Sequence, residues 1–442
     1  MSEVSISTRG ARRIRNGHLW IYRSDLREAT SAHGGAIVRV VDDAGNFVGQ
    51  AFYSDASQIA LRVLSTREET INREWWRKRL QQCGARRAEI AKETNAYRLV
   101  YSEGDLLSSI IIDVYDGHFV VQTLSQGAAR MQDQLVELLI EEFEPRSVLE
   151  RNDAPVRQIE GLKLRTGVLY RRVSERRATT GEPDDSSSAS DWVGNNNVSA
   201  PTAIATGSDH LTDLFDRVTT STSRASDMTH EIEMNQYGIR FLVAPLSGQK
   251  TGAFLDQREN YLAARRLAHG RALDCFTFTG GFALHVAQAC DSVLGIDISA
   301  DAISAAQRNA DLNAITNIHF QVANVFDALR EMDSAGERFD TIVLDPPAFT
   351  KSRATIKSGA RGYKEINLRA LKLLNPGGVL ITCTCSYHVS EEMFLNIIAD
   401  AALDAHRRLQ IIEKRGQASD HPVLLGVPET HYLKCVIGRV IQ

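Results

Sequence analysis

Apolar and polar positions change rhythm several times along the chain, and each change marks a unit. Residues 1–72 hold short alternating runs broken by turns. GGAIVRVVDDAGNFVGQAFYS predicts a hairpin about Asp43-Ala44-Gly45, and QIALRVLS predicts a further strand. Together they predict a small barrel-like unit. REWWRKRLQQCGARRAEIAK, at 73–92, has helical periodicity and a basic face. Its Trp75 and Trp76 are expected to pack in a domain junction rather than to stack on a base. YRLVYSEGDLLSSIIIDVYDGHFVVQTLS predicts a sheet meander with a turn at Asp116-Gly117. MQDQLVELLIEEF predicts an amphipathic helix, and RSVLERND a strand.

The rhythm fades between 174 and 230, where Ser, Thr, Asp and Asn dominate, as in EPDDSSSASDWVGNNNV. That composition predicts a poorly ordered insertion, with one local turn at LTDLF. Long loops cost little free energy, so a tolerated linker is the simplest reading. Order resumes at IEMNQYGIRFLV, a predicted hairpin about Gly238. From 249 onward strands and helices alternate as in a doubly wound parallel sheet.

Composition adds three constraints. Hydrophobic residues make up 43% and charged residues 24% of the 442, ordinary for a globular protein. No apolar run approaches the roughly 18 residues of a membrane span. The Arg- and Ser-rich start, ISTRGARRIRNG, lacks an apolar signal region and runs into a strand-like HLWIY, so it reads as mature protein. Six cysteines without a CxxC pair fit a reducing cytoplasm. Residues 1–100 hold 17 Lys and Arg against 11 Asp and Glu, whereas the remainder holds 34 against 44. A basic front on an acidic body suggests that the front meets a polyanion.

The chemistry collects at the predicted carboxyl ends of the strands, where open α/β sheets bind ligands. RALDCF, with Asp274 and Phe276, leads into the turn Thr279-Gly280-Gly281, whose glycines admit a ligand close to the backbone. Asp297 ends the next strand, placed to accept from a ribose. Asn324 ends the third, with a carbonyl for an adenine amine and Val325 or Phe326 to pack on the ring. A nicotinamide enzyme would also use such an acid, but GxGxxG is absent, which favours S-adenosylmethionine. FDTIVLDPPAF ends in Asp345-Pro346-Pro347-Ala348-Phe349. Proline fixes the backbone there, Phe349 offers a stacking surface, and Pro346 and Pro347 complete a clamp for a flat base.

GVLITCTCSYH places Cys383 and Cys385 on one face of a strand. Cys385, nearer the rim, is the preferred nucleophile. A thiolate adding to carbon 6 of a pyrimidine makes carbon 5 nucleophilic, but a free thiol is mostly protonated at neutral pH. His388, Arg361 and Lys364 are candidate activators. A protonated Asp345 is a candidate donor to the ring nitrogen. Cys-x-Cys with His388 falls short of the four ligands of a structural zinc site, so no metal is expected.

At these residues the chain resembles the ribosomal RNA large-subunit methyltransferase I family, cytosine-carbon-5 enzymes with an N-terminal PUA domain. GQKTGAFLDQREN, CFTFTGGFA, DPPAF, RGYKEIN, TCTCS and QASDHP occur in family order. The resemblance spans nearly the whole chain outside 174–230. It implies a PUA barrel over 1–72 that grips RNA and a central α+β domain over 73–173. A hairpin at 231–248 would complete the central domain, and 249–442 would form a Rossmann-like class I methyltransferase domain. It implies S-adenosylmethionine as cofactor and large-subunit ribosomal RNA as partner, with no membrane role and with homodimerisation left open. Cys385 would be the nucleophile, and Gln257 and Arg258 would lie in the loop bordering the cofactor. The family lacks a second cysteine beside the Pro-Pro turn, as does this chain, so another base would take the carbon-5 proton. Two rivals remain. One is an amine- or ring-nitrogen methyltransferase that needs no thiol. The other is a non-catalytic RNA-binding assembly factor.

Overall fold

The computed structural model describes residues 1–27, 31–172, 231–248, 251–350 and 352–441. The predicted insertion at 174–230 and its local turn lie outside the described residues.

The described residues form three sheets and a separate hairpin. In the first sheet the strand order is Glu3–Ser5, Ile37–Val41, Phe47–Tyr53, Ile59–Ser65, Trp20–Tyr22. The hairpin about Asp43-Ala44-Gly45 forms as predicted, closed by the Gly45 amide on the Asp42 carbonyl, with Gly45 at φ +79°. Val4, Ile14, Ile21, Val38, Val40, Leu61 and Val63 fill the interior. One element departs from the sequence reading. Thr8–Arg15 is a helix, capped by Ser7, whose hydroxyl accepts from the Gly10 amide. Its apolar face is only Ala11 and Ile14, and the arginines around them hide the period.

The helix Arg73–Arg87 joins this sheet to the second. Trp75 and Trp76 are buried at that junction, and Trp76 stacks on Phe52 of the barrel with centroids 5.8 Å apart. The predicted basic face is largely neutralised within the chain. Arg73 and Arg77 pair with Glu137, Glu141 and Glu142 of the helix Gln132–Phe143. The second sheet runs Arg165–Arg171, Ser147–Asn152, His118–Thr123, Ile110–Tyr115, Ala96–Tyr101. Its turn at Asp116-Gly117 has both residues at positive φ, which glycine accepts freely and aspartate tolerates.

The third sheet positions the site. Its order is Ile318–Val322, Ser292–Asp297, Arg271–Cys275, Phe339–Leu344, Leu374–Thr384, Lys434–Val440, Leu409–Arg415. The first five run parallel, and Lys434–Val440 enters antiparallel to both neighbours. Two hydrophobic layers cover it. One is built from the helices Arg258–Leu267, Gly281–Val286 and Ala300–Leu312, and the other from Val325–Ser334, Ile356–Leu373 and Glu391–Asp404. Burial on both faces explains why the central strands read as unbroken apolar runs.

Among the described residues, Ile232–Gln236 and Ile239–Val243 form a two-stranded sheet of their own, turning at Tyr237-Gly238. The hairpin sends Met234, Ile239, Phe241 and Val243 into the first of those layers, together with Tyr115, Val120 and Leu149 of the second sheet. It therefore packs between two sheets. His285 fastens it: one ring nitrogen lies 3.2 Å from the Gln236 carbonyl and the other 2.8 Å from that of Gly281.

Candidate active site

The parallel strands end at a cavity of about 370 Å³. Nine of the residues singled out from sequence line it: Gln257, Asp274, Phe276, Gly281, Asp297, Asp345, Pro346, Pro347 and Cys385. The glycine turn, the second-strand acid, the Pro-Pro turn and the thiol thus share one space.

Asp274, one residue before the end of its strand, is fully buried. Its Oδ2 accepts from the Thr277 hydroxyl at 2.7 Å and the Ala283 amide at 2.9 Å. Its Oδ1 has no hydrogen-bond partner among the described residues. Burial pushes its carboxyl up to about 7; the Thr277 hydrogen bond opposes this, and the charges of Asp345 and Asp297 add to it. The backbone just beyond is strained. Phe276 and Phe278 hold φ values of +64° and +50°, and Gly280 holds +87°. Such conformations persist where a site demands them. At Gly281 a Cβ would lie 2.5 Å from the Tyr261 hydroxyl, so only glycine lets the next helix start this close. Asp297 is oriented by the amides of Phe278 and Ser299, at 2.9 and 3.0 Å.

Asp345 is held by a chain of hydrogen bonds. Arg415 Nε donates to Asn260 Oδ1 at 3.0 Å, and Asn260 Nδ2 to Gln257 Oε1 at 2.7 Å. Gln257 Nε2 then donates to Asp345 Oδ1 at 2.9 Å. This fixes which way the glutamine amide points, because its oxygen is taken by Asn260 and only its nitrogen can face the carboxylate.

Cys385 is half-buried on the cavity wall, whereas Cys383 is fully buried opposite Cys435 on the neighbouring strand. Burial drives the Cys383 thiol far up, which leaves it inert. The segment after Cys385 is rigid: Ser386 Oγ meets Tyr363 Oη at 2.9 Å, and the Ser386 amide donates to Thr384 Oγ1 at 3.2 Å.

Four of the singled-out residues do not line the cavity. Gly280 forms the turn behind it. Arg258, wholly buried, pairs with Asp420 of the QASDHP segment at 2.8 Å, so its charge joins the helix start to that segment rather than facing a cofactor. Asn324 caps the helix Val325–Ser334, its carbonyl already accepting from the Phe326 amide at 2.9 Å, and it sits on the outside. Phe349 packs among Phe276, Phe326 and Tyr363, 4.7 Å from the last by centroids. Gly359 and Gly362 on the helix Ile356–Leu373 make room for that segment. Pro346, Pro347 and Phe276 therefore line the cavity without Phe349. Of the proposed thiol activators, Lys364 pairs with Asp404 at 2.8 Å and none of the three lines the cavity.

The structure adds residues that sequence reasoning missed. Ile298, 70% exposed, lines the mouth beside Asp297. An exposed isoleucine directly after a strand-end acid was a legible signal for an apolar ring. Met234, Gln236 and Phe241 reach in from the hairpin, which no local pattern announces.

Among the described residues the lining holds four carboxylates, Asp256, Asp274, Asp297 and Asp345, and no lysine or arginine. Such a wall repels a pyrophosphate and suits a cation. With a free buried carboxylate oxygen, a ribose acid and a glycine that admits backbone approach, the residues fit S-adenosylmethionine, a sulfonium nucleoside. They do not fit a dinucleotide.

Comparisons with known proteins agree. A PUA-like domain model matches residues 4–66, and a methyltransferase domain model matches 267–418. Ribosomal RNA large subunit methyltransferase I from Tolumonas auensis is 37% identical over 432 residues, covering 96% of each chain. That of Klebsiella pneumoniae is 34% identical, covering 96% of this chain and 94% of its own. Among solved structures, a SAM-dependent methyltransferase from Streptococcus mutans superposes with a TM-score of 0.75 at 18% identity, covering 100% of both chains. A methyltransferase solved in complex with SAH gives 0.76 at 17% identity, again over 100% of both. The fold is thus that of an S-adenosylmethionine-dependent methyltransferase carrying a PUA-like domain, and the chain belongs to the ribosomal RNA large subunit methyltransferase I family.

Proposed function

We propose that the protein makes 5-methylcytosine in the RNA of the large ribosomal subunit through a covalent bond between Cys385 and the cytosine. One observation supports this above the rest: the cavity that suits the cofactor is also lined by Cys385 and the Pro346-Pro347 turn. A nitrogen methyltransferase has no use for a thiol there.

S-Adenosylmethionine supplies an electrophilic methyl group when bound. The chain's residues do the rest. Asp297 would hold the ribose, Ile298 would pack on the adenine, and Asp274 and Gly281 would form the floor. Asp345, steadied by Gln257, meets the cytosine edge, and Pro346 and Pro347 cover its face. The Cys385 thiolate adds to carbon 6, and the displaced pair makes carbon 5 nucleophilic. After methyl transfer a base removes the carbon-5 proton, and the carbon–sulfur bond breaks to return the thiolate. The cytosine leaves its stack to reach this depth, so looped or unpaired RNA is the favoured substrate.

Residues 1–72 form the RNA-gripping barrel in this reading, and residues 249–442 the catalytic domain. Arg67, Lys78 and Arg79 line a second cavity, of about 430 Å³, at the barrel–helix junction. Glu69 lines the same cavity and acts electrostatically on Arg67 and Arg79, which leaves three cations against one carboxylate. That surplus suits a phosphate backbone.

The test combines tritiated S-adenosylmethionine, unmodified large-subunit RNA and nucleoside analysis, with wild type beside Cys385→Ala. The reading expects 5-methylcytosine from wild type and at least a thousandfold less from the variant. A methylated purine from both proteins would sink it.

A further inference from the structure

The hairpin Ile232–Gln236 and Ile239–Val243 sends Met234, Gln236 and Phe241 into the active-site cavity, and of the three only Gln236 has a polar side chain. All three precede residue 249, where the alternating strands and helices of the catalytic domain begin. Gln236 is 1% exposed, and its Nε2 has no hydrogen-bond partner among the described residues. Gln257, the other amide of the lining, is committed to Asn260 and Asp345. A buried donor without an acceptor is destabilising, and one that lines a ligand cavity points to an acceptor on the ligand. The backbone, not the amide, sets the place of Gln236. It pairs with Ile239 across the hairpin and with Thr94 in an antiparallel bridge, and its carbonyl lies 3.2 Å from a His285 ring nitrogen.

The third sheet sorts the rest of the cavity. Asp297 and Ile298 stand at the end of Ser292–Asp297, on one side of the strand Arg271–Cys275. Asp345 and Cys385 follow Phe339–Leu344 and Leu374–Thr384 on the other side. The nucleoside of S-adenosylmethionine suits the first side and its methyl group the second. The amino-acid tail branches from the same sulfur. Its ground is the wall between the two sides, which Tyr261, Phe282 and the hairpin build in one hydrophobic layer. The tail ends in an ammonium and a carboxylate. Among the described residues no lysine or arginine lines the cavity, and its four aspartates repel that carboxylate. A neutral donor can hold it without a counter-ion.

We propose that Gln236 binds the amino-acid tail of S-adenosylmethionine, donating from Nε2 to its carboxylate. An ionised acceptor makes this a charge-assisted hydrogen bond, stronger than one between neutral groups. The cofactor site is then completed by a segment that precedes the catalytic domain. His285 joins the two, with one ring nitrogen at the Gln236 carbonyl and the other at that of Gly281. The proposal rests on the cofactor alone, so it stands whether the product is 5-methylcytosine or a methylated purine.

The test compares two probes that share adenosine and an uncharged sulfur. S-Adenosylhomocysteine carries the amino-acid tail, and methylthioadenosine does not. Both are titrated by calorimetry, without RNA, into the full chain as wild type, Gln236→Met and Gln236→Leu. Each substitution removes the donor and keeps a side chain of similar size. Each variant should bind S-adenosylhomocysteine about tenfold or more weakly, and methylthioadenosine within about twofold of wild type. Unchanged affinity for S-adenosylhomocysteine would overturn the proposal. So would an equal loss on both probes, which would mark Gln236 as structural. If neither variant folds, wild type decides. It should bind methylthioadenosine at least about tenfold more weakly than S-adenosylhomocysteine, and equal affinities overturn the proposal. Failure here leaves the Cys385 mechanism to its own nucleoside analysis, because no step of this test involves the thiol.

Discussion

Burial pushes the Asp274 carboxyl up to about 7, yet it lines a cavity that suits a cation. A sulfonium favours the ionised form, and S-adenosylhomocysteine, which is uncharged at sulfur, does not. Below pH 7 cofactor binding must expel the Asp274 proton. The preference for S-adenosylmethionine over S-adenosylhomocysteine should therefore rise with pH and level off above 7. It should lose up to about tenfold per unit below that. Calorimetry with both ligands from pH 5.5 to 8 (about the stable range) measures this, and Asp274→Asn should flatten the ratio. A ratio independent of pH in wild type would show that the carboxylate is already ionised. Sequence showed Asp274 at a strand end but could not show its depth, because burial comes from helices folded over it.

At the scale of elements, the hairpin and the helix Gly281–Val286 meet through His285. The imidazole is wholly buried, which pulls its pKa down to about 4 from an ordinary 6.5, against the two carbonyls that favour its charge. The folded state thus binds fewer protons than the unfolded chain between pH 6.5 and 4. The sign follows: this contribution is complete above 6.5 and is lost as pH falls toward 4, by on the order of 3 kcal/mol. Urea unfolding of wild type and His285→Asn at pH 7 and 5 separates it from the carboxylates, since those are common to both proteins. Equal pH slopes would show that His285 is not the source. The hairpin itself was legible from its alternation and from Gly238, and the parallel strands from their apolar runs. Where the hairpin docks was not, because its partners come from two sheets. The helix Thr8–Arg15 and the packing of Phe349 were missed for kindred reasons. Arginines masked the period of the first. The glycine face that accommodates the second lies one element further on.

For the whole molecule the question is where RNA lies. The surplus of positive charge in the first 100 residues was legible, but most of those arginines turn out to be paired at home. Exchanging Arg79 or Lys78 for glutamate should weaken binding of a large-subunit RNA fragment several-fold. Each exchange should also lower the slope of log affinity against log salt by about 1, while S-adenosylhomocysteine binding stays unchanged. Arg73→Ala should instead lower thermal stability and leave RNA affinity alone, since its charge is spent on Glu137 and Glu141. A reversed pattern in filter binding across salt would move the RNA path to the outer helix face.

The strand order of the third sheet has a consequence for synthesis. Lys434–Val440 is the last strand of that sheet to be made, yet it fills the place between Leu374–Thr384 and Leu409–Arg415. During translation the first two sheets can form before the third is closed. Leu374–Thr384, which leads to Cys385, gains its antiparallel partner only when that strand slots in. Every residue that lines the cavity is thus synthesised before the strand that closes the sheet beneath it.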